Sequence, residues 1–387
     1  MIGGSLLSQG GYGCVFHPEI NCKGKETTKK KYISKIQKND FSAENEISIG
    51  KHIEKAIKTK EEHMYFAPVI SQCPINVSKI KVKGVDECKI IEGNNATDFL
   101  LMKIRYINGG VLDTFISENK NSSLIFSLFV SILSGLLKRV EFLIQNNIIH
   151  FDIKGQNIIY NKSSGQPVII DFGLSIPVEK LQHGDDLYHY FYIYAPEYYI
   201  WPLEVHLFNF LENVSEHLTM KNIKSLAHDF VKNNWALHAL SPDFRKKYEE
   251  MCVHVLKKYL GVPVPEIKRE ILQYWKTWDN YSVSIMYLKY VYMLFGTDNT
   301  VEKNPYLIFL TKILLTNIHP DPARRISVAK TLQTFEKIPF NANIDQINVL
   351  NQLIETIGNS RKNIHKRLKQ NETHMTLLTN KILSKKQ

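Results

Sequence analysis

The spacing of apolar residues changes character along this chain, and the change predicts its organisation. Up to about residue 107 apolar positions alternate or come in short runs, the period of strands. Leu7-Ser8-Gln9-Gly10-Gly11-Tyr12-Gly13-Cys14-Val15-Phe16 passes through a glycine cluster and alternates into a strand. Lys31-Tyr32-Ile33-Ser34-Lys35-Ile36 reads as the next strand, after a lysine-rich connector. Ser42-Ala43-Glu44-Asn45-Glu46-Ile47-Ser48-Ile49 has helical spacing, continued by Ile53 and Ile57. Residues 64–107 predict further strands around an irregular insertion. Past Asn108-Gly109-Gly110, where the glycine pair marks a break, the helical period takes over. Residues 122–147 predict one long apolar helix. Then the pattern shortens: Ile148-Ile149, Ile158-Ile159 and Val168-Ile169-Ile170 read as short strands around polar loops. Residues 204–275 return to helical spacing (Leu207, Phe210, Leu211; Phe230, Val231; Met251, Val255, Leu256, Leu260), and 341–387 is again helical. That last stretch turns basic at Arg361, Lys362, Lys366, Arg367 and Lys369.

The polar residues between the short central strands carry the candidate chemistry. His150-Phe151-Asp152-Ile153-Lys154-Gly155-Gln156-Asn157 has the form H-x-D-x-K-x-x-N, and Asp171-Phe172-Gly173 follows as a D-F-G turn. Two carboxylates and an amide at this spacing suit a two-metal phosphoryl-transfer site. That reaction asks a protein mainly to position two reactants and to neutralise charge on phosphate oxygens. Asp171 is expected to hold a Mg²⁺ that bridges the phosphates, and Asn157 to offer a neutral oxygen to a second, since this small, hard cation prefers oxygen ligands. Asp152 is expected to orient the attacking hydroxyl and accept its proton. Lys154 reaches the transferring phosphoryl group as a compact cation. The glycines near the start let backbone amides approach phosphates with no Cβ in the way.

Composition narrows the picture less. At 387 residues, with 44% apolar and 22% charged, the chain is an ordinary globular protein long enough for two lobes or two domains. The formal charge of +11 favours acidic partners only weakly against a plain lysine-rich surface. No aromatic interleaving marks a dedicated nucleic-acid site. Met1-Ile2-Gly3-Gly4 lacks the basic and apolar regions of a secretory signal, and Ile2 excludes the usual N-myristoylation signal. The longest uncharged apolar stretch, Leu124 to Leu137, is too short to span a bilayer, so no membrane anchor is expected. Five cysteines with no metal-ligand spacing predict reduced thiols and a cytoplasmic location.

The catalytic-loop and D-F-G motifs together resemble the eukaryotic-type serine/threonine protein kinase family, and the resemblance extends over residues 5–203 and 276–336. It implies an α+β, bilobal protein-kinase-like fold: a β-rich nucleotide-binding lobe over 1–107 and a helical catalytic lobe over 108–340. A helical insertion at about 204–275 and a basic tail over 341–387 fall outside the pattern. The implied cofactors are ATP and Mg²⁺, and the implied partner is a protein substrate. The glycine cluster is similar to the kinase Gly-rich loop, with Gly10 and Gly13 in the second and third glycine places and Ser8 in the first. Ser8, Gly10, Gly11, Gly13 and Val15 are thereby nucleotide contacts. Lys35 takes the place of the β3 lysine that touches the α/β-phosphates, and Ile33 stands above the adenine where Ala is common. Glu46, with Glu44 as the other candidate, is the ion-pair partner of Lys35. Ile104 falls at the gatekeeper position, and Arg105 to Ile107 at the hinge that meets the adenine edge. Ala195-Pro196-Glu197 resembles the A-P-E that closes the activation segment, Asp279 the aspartate that braces the catalytic loop, and Arg325 the arginine that pairs with the A-P-E glutamate, here Glu197.

Several positions depart from the family pattern. Phe151 replaces the arginine that commonly precedes the catalytic aspartate and that pairs with a phosphate on the activation loop. Between Ser175 and Ala195 there is no Ser or Thr, only tyrosines. Both departures predict activity without activation-loop phosphorylation. Tyr190 lies near where serine/threonine kinases place a threonine beside the catalytic aspartate. Lys154 favours Ser/Thr over Tyr as acceptor. A pseudokinase scaffold and a small-molecule kinase of the aminoglycoside or choline type are the alternatives. Every catalytic group being present argues against the first, and the A-P-E and Arg325 elements against the second. The Ile/Asn/Lys-rich composition, the divergent small lobe and the insertion resemble, in style, kinases of large cytoplasmic DNA viruses, which implies host cytoplasm or virion.

Overall fold

The structure is a computed structural model, and it describes residues 5–10, 13–28, 30–119, 125–183, 187–295 and 305–336, with 375, 377 and 378. Gly11 lies outside the described residues, as does most of the 341–387 tail.

The small lobe is a five-stranded antiparallel sheet in the order β1-β2-β3-β5-β4, built from β1 (Ser5–Gly10), β2 (Gly13–His17), β3 (Tyr32–Lys38), β4 (Val69–Ile75) and β5 (Phe99–Arg105). Helix α1 (Phe41–Ala56) interrupts it after β3. Asp40 caps that helix, its side chain accepting from the Ala43 amide at 3.0 Å, which satisfies one of the donors that a helix start leaves open. Its buried face includes Ala43, Glu46, Ile47, Ile49 and Ile53, while Glu44 is exposed. The irregular insertion between β4 and β5 packs Val77, Ile80, Val85 and Cys88 against Phe16 and Phe99 as a separate apolar cluster.

Here the thiol expectation is corrected. Cys14 is bonded to Cys88 and Cys22 to Cys73, leaving only Cys252 as a free, buried thiol. Partners 74 and 51 residues apart have no local signature; only the folding of the insertion back onto the sheet brings their Cα atoms within bonding range.

The large lobe begins with β6 (Gly109–Val111), α2 (Leu112–Asn119) and the long helix α3 (Ile125–Gln145). Short strands follow, β7 (Ile148–Ile149), β8 (Ile158–Asn161), β9 (Gln166–Ile169) and β10 (Ile176–Pro177), then the short helix α4 (Val178–His183). β6-β8-β9 form one antiparallel sheet and β10-β7 another, so the polar loops between these strands are clamped at both ends. Helices α5 (Leu203–Asn213), α6 (Met220–Asn233), α7 (Pro242–Lys257) and α8 (Val264–Leu272) make up the insertion. Helix α9 (Trp278–Phe295) is buried on all faces, every residue but Tyr292 lying in the interior, the signature of a central core helix. Helices α10 (Pro305–Asn317) and α11 (Val328–Glu336) close the lobe. Two tail residues join the core: Met375 and Leu378 are buried in the large-lobe cluster.

Candidate active site

The cleft between the lobes encloses a cavity of about 460 Å³. Its roof comes from the glycine hairpin and β3, through Ser8, Gly10, Gly13, Val15, Ile33 and Lys35. Gly13 is required where it stands: a Cβ there would collide with the Ile36 carbonyl across the sheet. Ile104, Arg105 and Ile107 line the back. Tyr106 lines it too, and its amide donates to the Lys31 carbonyl at 2.9 Å. The Arg105 side chain donates to the His63 and Phe66 carbonyls at 2.7 Å each. The floor is Ile159, with Ile170 beside Asp171.

Lys35 sits between two carboxylates, its Nζ 2.7 Å from Glu46 and 3.2 Å from Asp171. All three come from different elements. β3 aims Lys35 down, α1 turns Glu46 inward, and the loop after β9 delivers Asp171. Burial alone would lower the Lys35 pKa, but the charges of Asp171 and Glu46 outweigh it and hold the ammonium above its usual range. Burial likewise works against the charge on Asp171, and Lys35 and Lys154 together keep its carboxyl below the usual range. Asp171 also takes a left-handed backbone, φ 64°, a strained choice for a residue with a side chain.

In the catalytic loop, Asn157 donates from Nδ2 to the Asp152 carboxylate at 2.7 Å and to its carbonyl at 3.0 Å. Lys154 Nζ donates to Asp152 Oδ2 at 2.9 Å. The loop is anchored from below by Asp279, which accepts from the amides of His150 (2.7 Å) and Phe151 (2.9 Å). Burial pushes the Asp279 carboxyl up, and these two bonds work against that shift. Gly155 leaves room for a buried contact between Asp113 and the Tyr290 hydroxyl, which any Cβ at 155 would strike. Asp113 also accepts from Gln156 at 2.7 Å.

Asn157 has its amide nitrogen committed to Asp152, so its oxygen is the atom it can offer a cation. Asn157 and Asp171 line the same cavity. Among the described residues no group of three or more His, Cys, Asp or Glu side chains could hold a metal ion by itself. An amide oxygen and a carboxylate fit Mg²⁺, which keeps waters and takes its remaining ligands from phosphates.

Two assignments are corrected by the geometry. Arg325 does not pair with Glu197. It grips Glu204, through Nη1 at 2.6 Å and Nη2 at 2.8 Å, and it also donates to the His319 carbonyl at 2.9 Å. Glu204 lies in the first turn of α5 and is buried, whereas Glu197 sits half-buried in the turns before Pro202. The helix start, not the Ala-Pro-Glu letters, decides which glutamate points inward. Pro202-Leu203-Glu204 repeats the Pro and Glu signal and was the clue available. Similarly, the tyrosine beside the catalytic loop is Tyr198, not Tyr190. Tyr198 donates its hydroxyl to Asp152 and accepts from Lys154 at 3.0 Å, while the Tyr190 hydroxyl donates to Asn45 at 3.5 Å. Nothing in the spacing singled out Tyr198 or Asn45; the latter donates to the carbonyls of Gly173 (3.3 Å) and Ser175 (2.7 Å), tying α1 to the segment after Asp171.

A β-sheet small lobe, a helical large lobe and a cleft between them that gathers charged groups define a protein kinase fold. The protein kinase domain family model matches residues 3–200, just over half of the sequence, and the chain belongs to that family. It is similar to the probable LRR receptor-like serine/threonine-protein kinase IRK of Arabidopsis thaliana, 26% identical over 171 residues that cover 44% of this chain and 15% of that protein. It is also similar to the probable serine/threonine-protein kinase fnkB of Dictyostelium discoideum, 29% identical over 111 residues (28% of this chain, 20% of the relative). A short stretch of 43 residues is 49% identical to serine/threonine-protein kinase C of Synechocystis, covering 11% of this chain and 8% of that one. The chain thus spans a minor part of each relative's length. Among solved structures, the Mycobacterium tuberculosis PknI kinase domain matches at 12% identity and a TM-score of 0.42, over 87% of this chain and 95% of that one. The autoinhibited serine kinase domain of titin matches at 17% identity and a TM-score of 0.42, over 92% and 87%. No helix among the described residues is long and apolar enough to cross a membrane.

Proposed function

We propose that this chain transfers the γ-phosphoryl group of Mg·ATP to Ser or Thr hydroxyls of protein substrates, without needing a phosphate on its activation segment. The observation that carries this reading is the meeting of Lys35, Glu46, Lys154, Asn157 and Asp171 around one inter-lobe cavity, with Asp152 bonded to two of them. In this reading residues 1–107 bind the nucleotide and 108–340 carry the catalysis. Ser8, Gly10, Gly13 and Val15 cover the phosphates and Gly11 joins them. Ile104, Arg105 and Ile107 border the adenine, and Lys35, fixed by Glu46, meets the α/β-phosphates. Asp171 and Asn157 would hold Mg²⁺, which would offset the charge of the phosphates. Asp152 orients the acceptor hydroxyl and takes its proton, and Lys154 neutralises charge on the phosphoryl oxygens.

Phe151 supports independence from phosphorylation. Its ring stacks on Trp201 at 5.0 Å and meets Phe191 edge-on at 5.6 Å, so the activation segment is held by aromatic packing where other kinases use an arginine–phosphate pair. The test is phosphate transfer from labelled ATP to a generic protein substrate by wild type, Asp152→Asn and Asp171→Asn, followed by phosphoamino-acid analysis. Activity confined to wild type, with phosphoserine or phosphothreonine as product, is the expected outcome. Equal transfer by all three discards the catalytic assignment, and predominant phosphotyrosine overturns the acceptor class.

A further inference from the structure

A second concavity, of about 980 Å³, lies in the helical insertion between α6 and α7. We propose that this groove docks an acidic peptide segment of a partner protein, one that carries apolar side chains between its carboxylates. The proposal needs the groove and not the cleft, so it stands or falls apart from the transfer reaction.

The charge is the first argument. Lys224 and Lys232 line the groove from α6, and Arg245, Lys246 and Lys257 from α7. Lys224, His228 and Lys232 fall at intervals of four and so share one face of α6. The groove's carboxylates are Glu249 and Glu250, and Glu249 lies 3.2 Å from the His228 ring. With the histidines uncharged, five cations face two anions, a net of three positive charges. A concave wall of net positive charge attracts and orients an acidic chain. The chain's own basic stretch around Arg361 to Lys369 has the wrong sign to fill it.

The second argument is the groove's apolar part. Val253 and Pro242 contribute accessible lining between the charged rims, above the buried Val231. Trp235 is 44% exposed and stacks on the groove residue His238, an exposed aromatic surface of the kind that anchors partner side chains. A nucleic-acid strand would set its phosphates against Glu250 and leave Val253 and Pro242 uncovered. An acidic peptide with leucine or phenylalanine between its carboxylates satisfies both parts. The lysines are not part of the fold's interior: α6 buries Ile223, Leu226, Ala227, Phe230 and Val231 and leaves Lys224 and Lys232 exposed. Their replacement therefore leaves folding intact.

The experiment is fluorescence anisotropy on the full chain with a labelled peptide of alternating Asp/Glu and Leu residues, at low salt. Lys224→Glu/Lys232→Glu/Lys246→Glu is expected to weaken binding by about tenfold or more, with unchanged melting temperature and unchanged transfer to a small generic peptide substrate. A matched peptide with Ser in place of Leu is expected to bind more weakly than the original. If the charge reversal unfolds the protein, Lys224→Gln/Lys232→Gln gives the same reading by loss of charge alone. Absence of saturable binding, equal binding by wild type and variants, or tighter binding of a single-stranded DNA of matched charge each overturns the proposal, the last by making the groove a nucleic-acid surface.

Discussion

Arg325 holds the carboxylate of Glu204 in a bidentate grip, both groups almost fully buried and the guanidinium also lying over the Tyr281 ring. Burial alone would lower the Arg325 pKa, but the Glu204 charge and its hydrogen bonds more than reverse this. The pair joins the start of α5 to the turn before α11, so it fixes the end of the activation segment to the bottom of the large lobe. Glu204→Ala is expected to cost about 3–5 kcal/mol, because it strands a buried guanidinium. Glu197→Ala, at a half-buried position outside this pair, is expected to cost clearly less than Glu204→Ala. Urea denaturation of both variants checks this. A larger loss for Glu197→Ala would restore the pairing that the sequence suggested.

That contrast shows how far the sequence could be read. The two-lobe fold was legible because strand and helix periods are local properties, and the D-F-G and catalytic-loop letters sit on short apolar strands whose pairing is nearly forced. The meeting of Lys35 with Glu46 was readable because α1 follows β3 directly, and Glu46 shares a helix face with Ile53 while Glu44 does not. What stayed hidden depends on contacts between distant segments. Two Pro-containing turns compete for Arg325, and only the point where α5 begins separates them. The bonds Cys14–Cys88 and Cys22–Cys73 depend on where the insertion before β5 folds back. Tyr198 was one tyrosine among six from 188 to 199, and its place beside Asp152 follows from the path of the segment rather than from its spacing.

Phe151 is buried with a left-handed backbone, φ 66°, its amide bonded to Asp279 and its carbonyl accepting from the Trp201 indole at 2.8 Å. Phe151→Arg would restore the residue common in the family, yet it places an unpaired charge among Trp201, Phe191 and Trp278. The expected result is a loss of roughly 3 kcal/mol or more, with lost activity and no gain of phosphorylation control. Phosphatase treatment of wild type is expected to leave its activity unchanged. Loss of activity on that treatment would show that a phosphate orders the segment after all.

The Tyr198 hydroxyl bridges Asp152 and Lys154 and so holds the two in register. Tyr198→Phe keeps the ring against Trp201 and removes the bridge. It is expected to lower kcat by roughly 10–100-fold, the scale of a small misplacement of a reacting group, with little change in KM for ATP. Steady-state kinetics at varied ATP separates the two parameters. A large rise in KM with kcat intact would assign Tyr198 to nucleotide binding instead.

Lys289 is a buried cation on α9 whose Nζ lies 3.5 Å from the Tyr199 hydroxyl. Burial drives its pKa down to about 7, against the opposing charge of Asp113. Between about pH 7 and the ordinary lysine range, the unfolded chain therefore binds a proton that the folded chain does not. Stability should rise with pH across that window and be flat below it, where Lys289 is charged in both states. Lys289→Met keeps the apolar stem and removes the charge. It is expected to be more stable than wild type at pH 6, by on the order of a few kcal/mol, with the gap narrowing toward pH 9. Urea unfolding of both proteins at the two pH values tests this. Parallel pH dependence in the two proteins would mean that Lys289 keeps an ordinary pKa, and that the interior around Tyr199 and Asp113 is wetter than its packing implies.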